Sequence, residues 1–342
     1  MRHKRLFGLL GLAAAAALAA GLAATGGSAH GTRAGAADKS YKLYLIPKFV
    51  GIPVFTLNGA GAKEAGKKLG DSVTYNGPTQ ATGAAQVPFI DSAARQGYNA
   101  IIISANDPNA VAPALKRAAA RGVKVISYDA DTAPSARIIY VSPPDAKSIG
   151  FNQVDTVASQ IGNKGKIAIL SAAPTAANQN EWIKWMKVRL KLPKYKGIQL
   201  VKVAYGNDND TKSAQEAQAL LQAYPDLKGI ISPTSVGVVA AARVLSQAKK
   251  CSVVLTGLGT PNTMRTYVKS GCVKKFALWN EQDFGYLAAY VAHNVLTGKL
   301  KGKPGESFTA GRLGKRTVGK GGIVILSKPL VFTAANIDKF HF

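Results

Sequence analysis

From Lys42 onward, short apolar runs alternate with amphipathic segments of helix length, and this alternation dictates the class of fold. Lys42 to Ile46, Val73 to Tyr75, Ala100 to Ser104 and Val123 to Tyr128 read as strands. Gly59 to Leu69, Thr82 to Gln96 and Ala110 to Ala120 read as helices, the last two stopped by Gly97 and Gly122. Strands that are apolar almost throughout need cover on both faces, which means a parallel sheet with helices on either side. The rhythm restarts after Pro143–Pro144, with helix Ser148 to Ile161, strand Lys166 to Leu170, helix Asn180 to Leu190 and strand Gln199 to Val203. Helix Lys212 to Ala223, strand Gly229 to Ser232 and helix Gly237 to Gln247 follow. Two such series predict two Rossmann-like α/β lobes. Helix Gly285 to Leu296 and strand Gly322 to Leu326 are left over as elements that cross back, making a hinge of several strands. The expected division is 41–145 plus 280–321 for one lobe, and 146–279 plus 322–342 for the other.

Ahead of the lobes stand Arg2, Lys4 and Arg5, an uncharged Leu/Ala-rich run from Leu6 to Ala24, and the small residues Gly27, Ser28 and Ala29. That order predicts a signal peptide over 1–29 and export, to a periplasm or the cell exterior. An uncleaved membrane anchor is the other reading, because the run approaches spanning length. Residues 30–40 read as a flexible linker. Cleavage leaves about 313 residues, room for two domains of ordinary size.

The 44 basic against 18 acidic residues give a net charge of +26, which invites a nucleic-acid reading. The lysines are scattered through helices and turns, with no zinc-finger spacing and no basic stripe interleaved with aromatics. With export, the expectation is no nucleic-acid partner and a basic surface facing anionic envelope polymers or headgroups.

Cys251 and Cys272 are the only cysteines. Each lies beside a strand-like run, Ser252 to Thr256 and Val273 to Leu278, and in an oxidising compartment the two could come within disulfide reach. Closing that loop is worth about 3 kcal/mol in the chain-entropy model. His30, His293 and His341 are remote from both cysteines, so no metal site is expected.

In open α/β sheets the ligand sits beyond the carboxyl ends of the strands. Those positions are polar here: Lys48, Asn106 and Asp107, Asp129 and Asp131 in the first series, then Asn178 and Gln179, Asn207 to Asp210, Thr234, and Asn280 to Asp283. Asp and Asn suit vicinal hydroxyls, and Trp182, Trp185, Trp279, Phe49 and Phe55 offer flat walls for a sugar ring. Each Asx residue also has a plain use as a turn or helix cap, and Trp185 reads more naturally as core. Asp129, directly after an apolar strand, and Lys48, between two apolar stretches, are the hardest to explain as solvated side chains. The expected ligand contacts are Lys48, Phe49, Asn106, Asp107, Asp129, Asp131, Asn178, Gln179, Trp182, Asn209, Pro233, Ser235, Trp279, Asn280 and Asp283.

The segments IPKFVGIPVF (46–55), YNGPTQATGAAQ (75–86), QGYNAIIISANDP (96–108), ISYDADT (126–132), NQNEW (178–182), YGNDNDTKS (205–213), GTPNTMRTYVKSG (259–271) and FALWNEQDFG (276–285) carry a family resemblance. Over Lys42 to Phe342 the chain resembles the exported sugar-binding proteins of ABC importers, nearest the rhamnose-binding and autoinducer-2-binding proteins. The resemblance implies a type I periplasmic-binding-protein fold, two lobes joined by a three-segment hinge. In the autoinducer-2 binders a motif lysine and a strand-end aspartate contact the ligand, and these fall on Lys48 and Asp129. An Asp-Gln pair falls on Asn178 and Gln179, and a proline and an alanine fall on Pro233 and Ser235. The changed members turn the expectation from autoinducer-2 toward a neutral deoxyhexose or pentose.

The function expected is capture of a small neutral sugar, by a monomer without cofactor, for a membrane-embedded ABC permease with a cytoplasmic ATPase. Autoinducer-2 binding, or sensing through a membrane receptor, is the alternative. An enzyme acting on a sugar is a remote one. The run from Asn58 to Gly66 superficially follows a dinucleotide fingerprint, but Glu64 stands where its third glycine belongs.

Overall fold

The computed structural model describes residues 40–342. The signal-peptide assignment over 1–29 and the linker assignment, except for Ser40, lie outside the described residues. No helix among the described residues is long and apolar enough to cross a membrane.

Chain order in the first lobe begins β1 (Lys42–Ile46), α1 (Pro53–Leu69), β2 (Ser72–Tyr75), α2 (Gly83–Arg95), β3 (Ala100–Ile103), α3 (Pro108–Ala120), β4 (Lys124–Tyr128) and β5 (Ile139–Ser142). The second lobe follows as α4 (Ala146–Gln160), β6 (Lys164–Ser171), α5 (Ala177–Leu190), β7 (Gly197–Tyr205), α6 (Asp210–Ala223), β8 (Leu227–Ser232), α7 (Ser235–Gln247), β9 (Val254–Gly257), α8 (Pro261–Lys269) and β10 (Phe276–Leu278). The chain then returns through α9 (Glu281–Leu296), the hairpin β11 (Ser307–Thr309) and β12 (Lys315–Thr317), β13 (Ile323–Ile325), and finally β14 (Leu330–Phe332).

The first sheet is parallel throughout, in the order β13-β5-β4-β3-β1-β2. Its strands are apolar on both faces for a visible reason. Leu43, Leu45, Ile102 and Ile126 belong to the core shared with α1 and α9, whereas Tyr44, Ile46, Ile101 and Ile103 pack with Ile90 of α2 and Val111 and Leu115 of α3. The second sheet runs β7-β6-β8-β9, also parallel, and β10 joins β9 through the bridge between Leu258 and Ala277. The chain crosses between lobes three times, after β5, after β10 and after β13.

One boundary needs correction. The segment 322–342 was expected in the second lobe, yet Ile323, Val324 and Ile325 pair with Tyr140, Val141 and Ser142 of β5. The open edge of β5 takes the strand as its partner, so β13 completes the first sheet. From β14, antiparallel to β10, to the C-terminus the chain belongs to the second lobe, where Arg265 of α8 donates to the carbonyls of Ile337 and Phe340. Helix α1 also starts six residues earlier than its sequence pattern suggested. Pro53 occupies its first turn, where the fixed φ of proline suits a helix start and its missing N–H costs nothing.

Of the glycines that imitated a dinucleotide fingerprint, Gly61 serves helix packing, while Gly59 and Gly66 lie against Tyr75 and Val73 of β2. A Cβ on Gly61 of α1 would lie 1.8 Å from the carbonyl oxygen of Gln282, and one on Gly285 of α9 would lie 1.8 Å from that of Asn58. The two helices therefore cross backbone to backbone, and this crossing carries Asn58 and Glu281 into the interlobe cleft.

The predicted disulfide is present: Cys251 and Cys272 are bonded, with Cα atoms 4.8 Å apart. They sit in the segments leading into β9 and β10, whose adjacency supplies the reach.

Candidate functional site

A narrow cavity of about 50 Å³ lies between the lobes. Its polar lining comes from the chain just past the strands. Lys48 follows β1, Asp129 follows β4, Asp208 follows β7, Pro233, Thr234 and Ser235 follow β8, and Trp279 follows β10; Asn178 and Gln179 open α5. Both sheets reverse direction of winding beside their first strand, β1 or β6, which is where ligands of such sheets collect.

Asp129 takes a positive φ of 59°, uncommon for a residue with a side chain, though aspartate tolerates it better than most. The turn keeps its carboxylate beside the sheet end. There it accepts from Ser104 Oγ at 2.6 Å and from Asn178 Nδ2 at 3.2 Å. Lys48, only 4% exposed, donates to Asn178 Oδ1 at 3.1 Å and lies 4.0 Å from Asp129 Oδ2. Among the described residues, Lys48 is the only basic one lining the cavity. Gln179 Oε1 accepts from Ser171 Oγ and the Ala172 N–H, leaving its Nε2 amide protons as its remaining donors. Trp182 and Trp279 meet edge to face, 6.1 Å between centroids, and with Phe55 form the flat apolar part of the wall.

Four polar lining residues, Asn58, Asp208, Thr234 and Glu281, were missing from the expected contacts or lost within a polar run. Asn58 donates to both the carbonyl and the carboxylate of Glu281, at 2.8 and 2.7 Å. Burial pushes the Glu281 carboxyl well above its ordinary value, against the hydrogen bond from Asn58; the Asp129 charge pushes it the same way. Asp208, hydrogen-bonded to Thr234, is likewise raised by burial, with Lys48 pulling it back. Glu281 was visible only as one of four polar residues, 280–283, and nothing in a run of four says which one faces inward.

Other expected contacts lie elsewhere. Asp131 accepts from Nε and Nη2 of Arg137, at 3.0 and 2.8 Å, and from Ser127 Oγ at 2.5 Å, outside the cavity lining. Asn106 donates to the Lys48 carbonyl at 2.6 Å and its N–H is held by Gln86, so it shapes the loop that presents Lys48. Asp107, Asn209 and Asn280 cap α3, α6 and α9. Asp283 pairs with Arg312. Phe49 stands behind Phe55, ring centroids 5.7 Å apart, and lines a neighbouring groove with Asp107, Asp208 and Asn209. Trp185 packs on Phe151, away from the cavity.

The arrangement suits a ligand that presents hydroxyls to amide and carboxylate groups and a ring face to tryptophan. Among the described residues, no group of three His, Cys, Asp or Glu side chains could hold a metal ion.

Comparison with known proteins agrees. Residues 43–300 match the family model of the periplasmic binding protein domain. A sugar ABC transporter protein from Actinomyces odontolyticus is 46% identical, covering 88% of this chain and 98% of its own, with a TM-score of 0.72. A solute-binding protein of an ABC transporter from Clostridium phytofermentas, solved with bound L-rhamnose, is 33% identical over 88% of this chain and 98% of its own, with a TM-score of 0.86. LsrB from Clostridium saccharobutylicum, in complex with AI-2, is 26% identical over 88% and 100%, with a TM-score of 0.83. With its two parallel-sheet lobes, its three crossings and its polar interlobe cavity, the chain belongs to the periplasmic binding protein family, among the solute-binding proteins of sugar ABC transporters.

Proposed function

We propose that the protein captures a neutral monosaccharide, a rhamnose-like deoxyhexose or a pentose, between its lobes and delivers it as a monomer to an ABC permease driven by a cytoplasmic ATPase. The observation that carries this reading is the network of Lys48, Asn178 and Asp129, which spans the cleft next to Trp182 and Trp279. It offers donors and acceptors at hydroxyl scale on one side and flat apolar surface on the other. The relative bound to L-rhamnose supports the choice of sugar class.

Autoinducer-2 is the less favoured ligand. Asn178 lacks the charge of the aspartate, and Ser235 replaces the alanine, that the autoinducer-2 binders place at these positions. Family membership implies an extracytoplasmic location, where a binding protein waits open for its solute. Ligand shifts such a protein toward closure only through contacts absent from the open form. The cross-lobe hydrogen bonds of Asn178 mark where those contacts belong.

The test is calorimetric titration with L-rhamnose, D-xylose, D-ribose, D-galactose and autoinducer-2, after unfolding and refolding to remove any co-purified ligand. The expected outcome is tight binding of a deoxyhexose or pentose. Binding of none of the sugars would overturn the reading, and binding of autoinducer-2 alone would replace it.

A further inference from the structure

A second polar group lines the cavity, and no hydrogen bond joins it to the network of Lys48, Asn178 and Asp129. It consists of Asn58, Glu281 and Trp279. Trp279 is 3% exposed, and its indole Nε1 is buried without a hydrogen bond of acceptable geometry. A buried N–H without a well-formed hydrogen bond is uncommon in a folded protein and calls for an explanation. The indole N–H nonetheless bears on the Glu281 carboxyl, helping to stabilise its charge, so the two groups are neighbours. Asn58 occupies one side of that carboxyl, donating to Oε2 at 2.7 Å, and among the described residues no donor makes a well-formed hydrogen bond to Oε1. A buried donor and a buried acceptor thus stand side by side on the wall of the cavity, each with capacity left over.

A hydroxyl is the chemical group that satisfies such a pair, because its oxygen accepts one hydrogen bond while its proton donates another. We propose that Trp279 and Glu281 form the specificity-determining end of the cleft, the indole N–H donating to one ring hydroxyl of the sugar and that hydroxyl donating to the Glu281 carboxyl. The pair selects for a hydroxyl at a single ring position. A sugar without it leaves the N–H and the carboxyl oxygen dry and unpaired, and such a site rejects the deoxy analogue far more strongly than an apolar pocket rejects a missing methylene. Asn58 is a positioning residue here: its amide fixes the carboxyl from behind, and the backbone crossing of Gly61 and Gly285 fixes Asn58. Wall residues such as Leu278, Leu258 and Val54 supply no alternative donor or acceptor side chain.

This inference rests on the monosaccharide reading, and the experiment separates the two. L-rhamnose, D-ribose and D-xylose, each with its analogues lacking one ring hydroxyl, are titrated into wild type, Trp279→Phe and Glu281→Gln. Thermal melts confirm that both variants fold. Wild type is expected to prefer a parent sugar over one of its deoxy analogues by at least about 100-fold. Trp279→Phe keeps the ring and deletes only the N–H, and should reduce that ratio to below about tenfold by weakening the parent alone. Glu281→Gln should change the same ratio and no other. A ratio unmoved in both variants, or equal weakening of every sugar, would overturn the pair as a hydroxyl reader while leaving monosaccharide binding intact. Failure of wild type to bind any of the sugars would overturn both.

Discussion

Lys48 of the first lobe donates a 3.1 Å hydrogen bond to Asn178 of the second, and the same amide donates onward to Asp129 at 3.2 Å. One side chain at the start of α5 therefore bridges back to the ends of β1 and β4. A lysine buried this deeply needs partners, since desolvation of its charge is costly. Here Asn178 and Asp129 supply them.

Replacing Lys48 with Met should therefore damage binding more than folding. The expected loss of sugar affinity is about 2 to 4 kcal/mol, in the range for removing one member of a buried charged contact. The melting temperature of the ligand-free protein should change little. A large drop in melting temperature with affinity intact would make Lys48 a purely structural lysine.

Asp129→Ala is expected to weaken binding by about 2 to 5 kcal/mol. The carboxylate accepts from Ser104 and Asn178 and stands by Lys48, so its loss leaves several buried donors unpaired. Calorimetry that finds affinity within about twofold of wild type, well under 1 kcal/mol, would remove Asp129 from the binding contacts.

Asp131 should behave in the opposite way, although it lies only two residues on. Its oxygens are taken up by Arg137, Ser127 and the Thr132 N–H. Asp131→Ala is expected to lower stability by about 1 to 3 kcal/mol, the cost of stripping partners from a part-buried charged group, with sugar affinity unchanged. Denaturant titration alongside calorimetry checks both halves.

The contrast between Asp129 and Asp131 shows what sequence could and could not convey. Apolar strands broken by amphipathic helices make a parallel sheet almost unavoidable, and the ends of such strands are where a ligand belongs, so Lys48, Asp129 and Asn178 were legible. Which of several clustered polar residues faces the cleft depends on one backbone angle or one helix start. Asn209 caps α6 while Asp208, one residue earlier, turns inward. Asn280 caps α9 while Glu281 turns inward. Asn58 lay within a glycine-rich run whose part in a close helix crossing appears only once α9 is packed against α1. The edge position of β13 was equally hidden, because three isoleucine and valine residues suit either sheet and the choice was made by the open flank of β5.

The bond between Cys251 and Cys272 is remote from the cavity-lining residues and ties the approaches of β9 and β10 together. Reduction, or the double substitution to Ser, should lower the stability of the protein by about 3 kcal/mol in the chain-entropy model and leave sugar affinity as it was. Urea unfolding with and without reductant reads the first. A loss of affinity on reduction would mean that the bond also sets the position of the Trp279 crossing after β10.

The pH dependence of folding carries a signature of Glu281. Burial lifts its carboxyl well above the ordinary 4.5, so the native state keeps this proton at pH values where the unfolded chain has released it. Stability falls with rising pH wherever the native state binds more protons than the unfolded state. The contribution of this group is thus complete below about pH 4.5 and is lost as pH climbs from there through the raised native value. Glu281→Gln keeps an oxygen to accept from Asn58 and removes the titration. Carboxylates held low by their partners, such as Asp155 beside Arg189, oppose the trend equally in both proteins and cancel in the difference. Urea unfolding of the ligand-free proteins between about pH 4 and pH 8 should therefore show the Gln variant gaining stability over wild type as pH rises. A difference that stays constant across the range would mean that the Glu281 carboxyl titrates alike in the folded and unfolded chains.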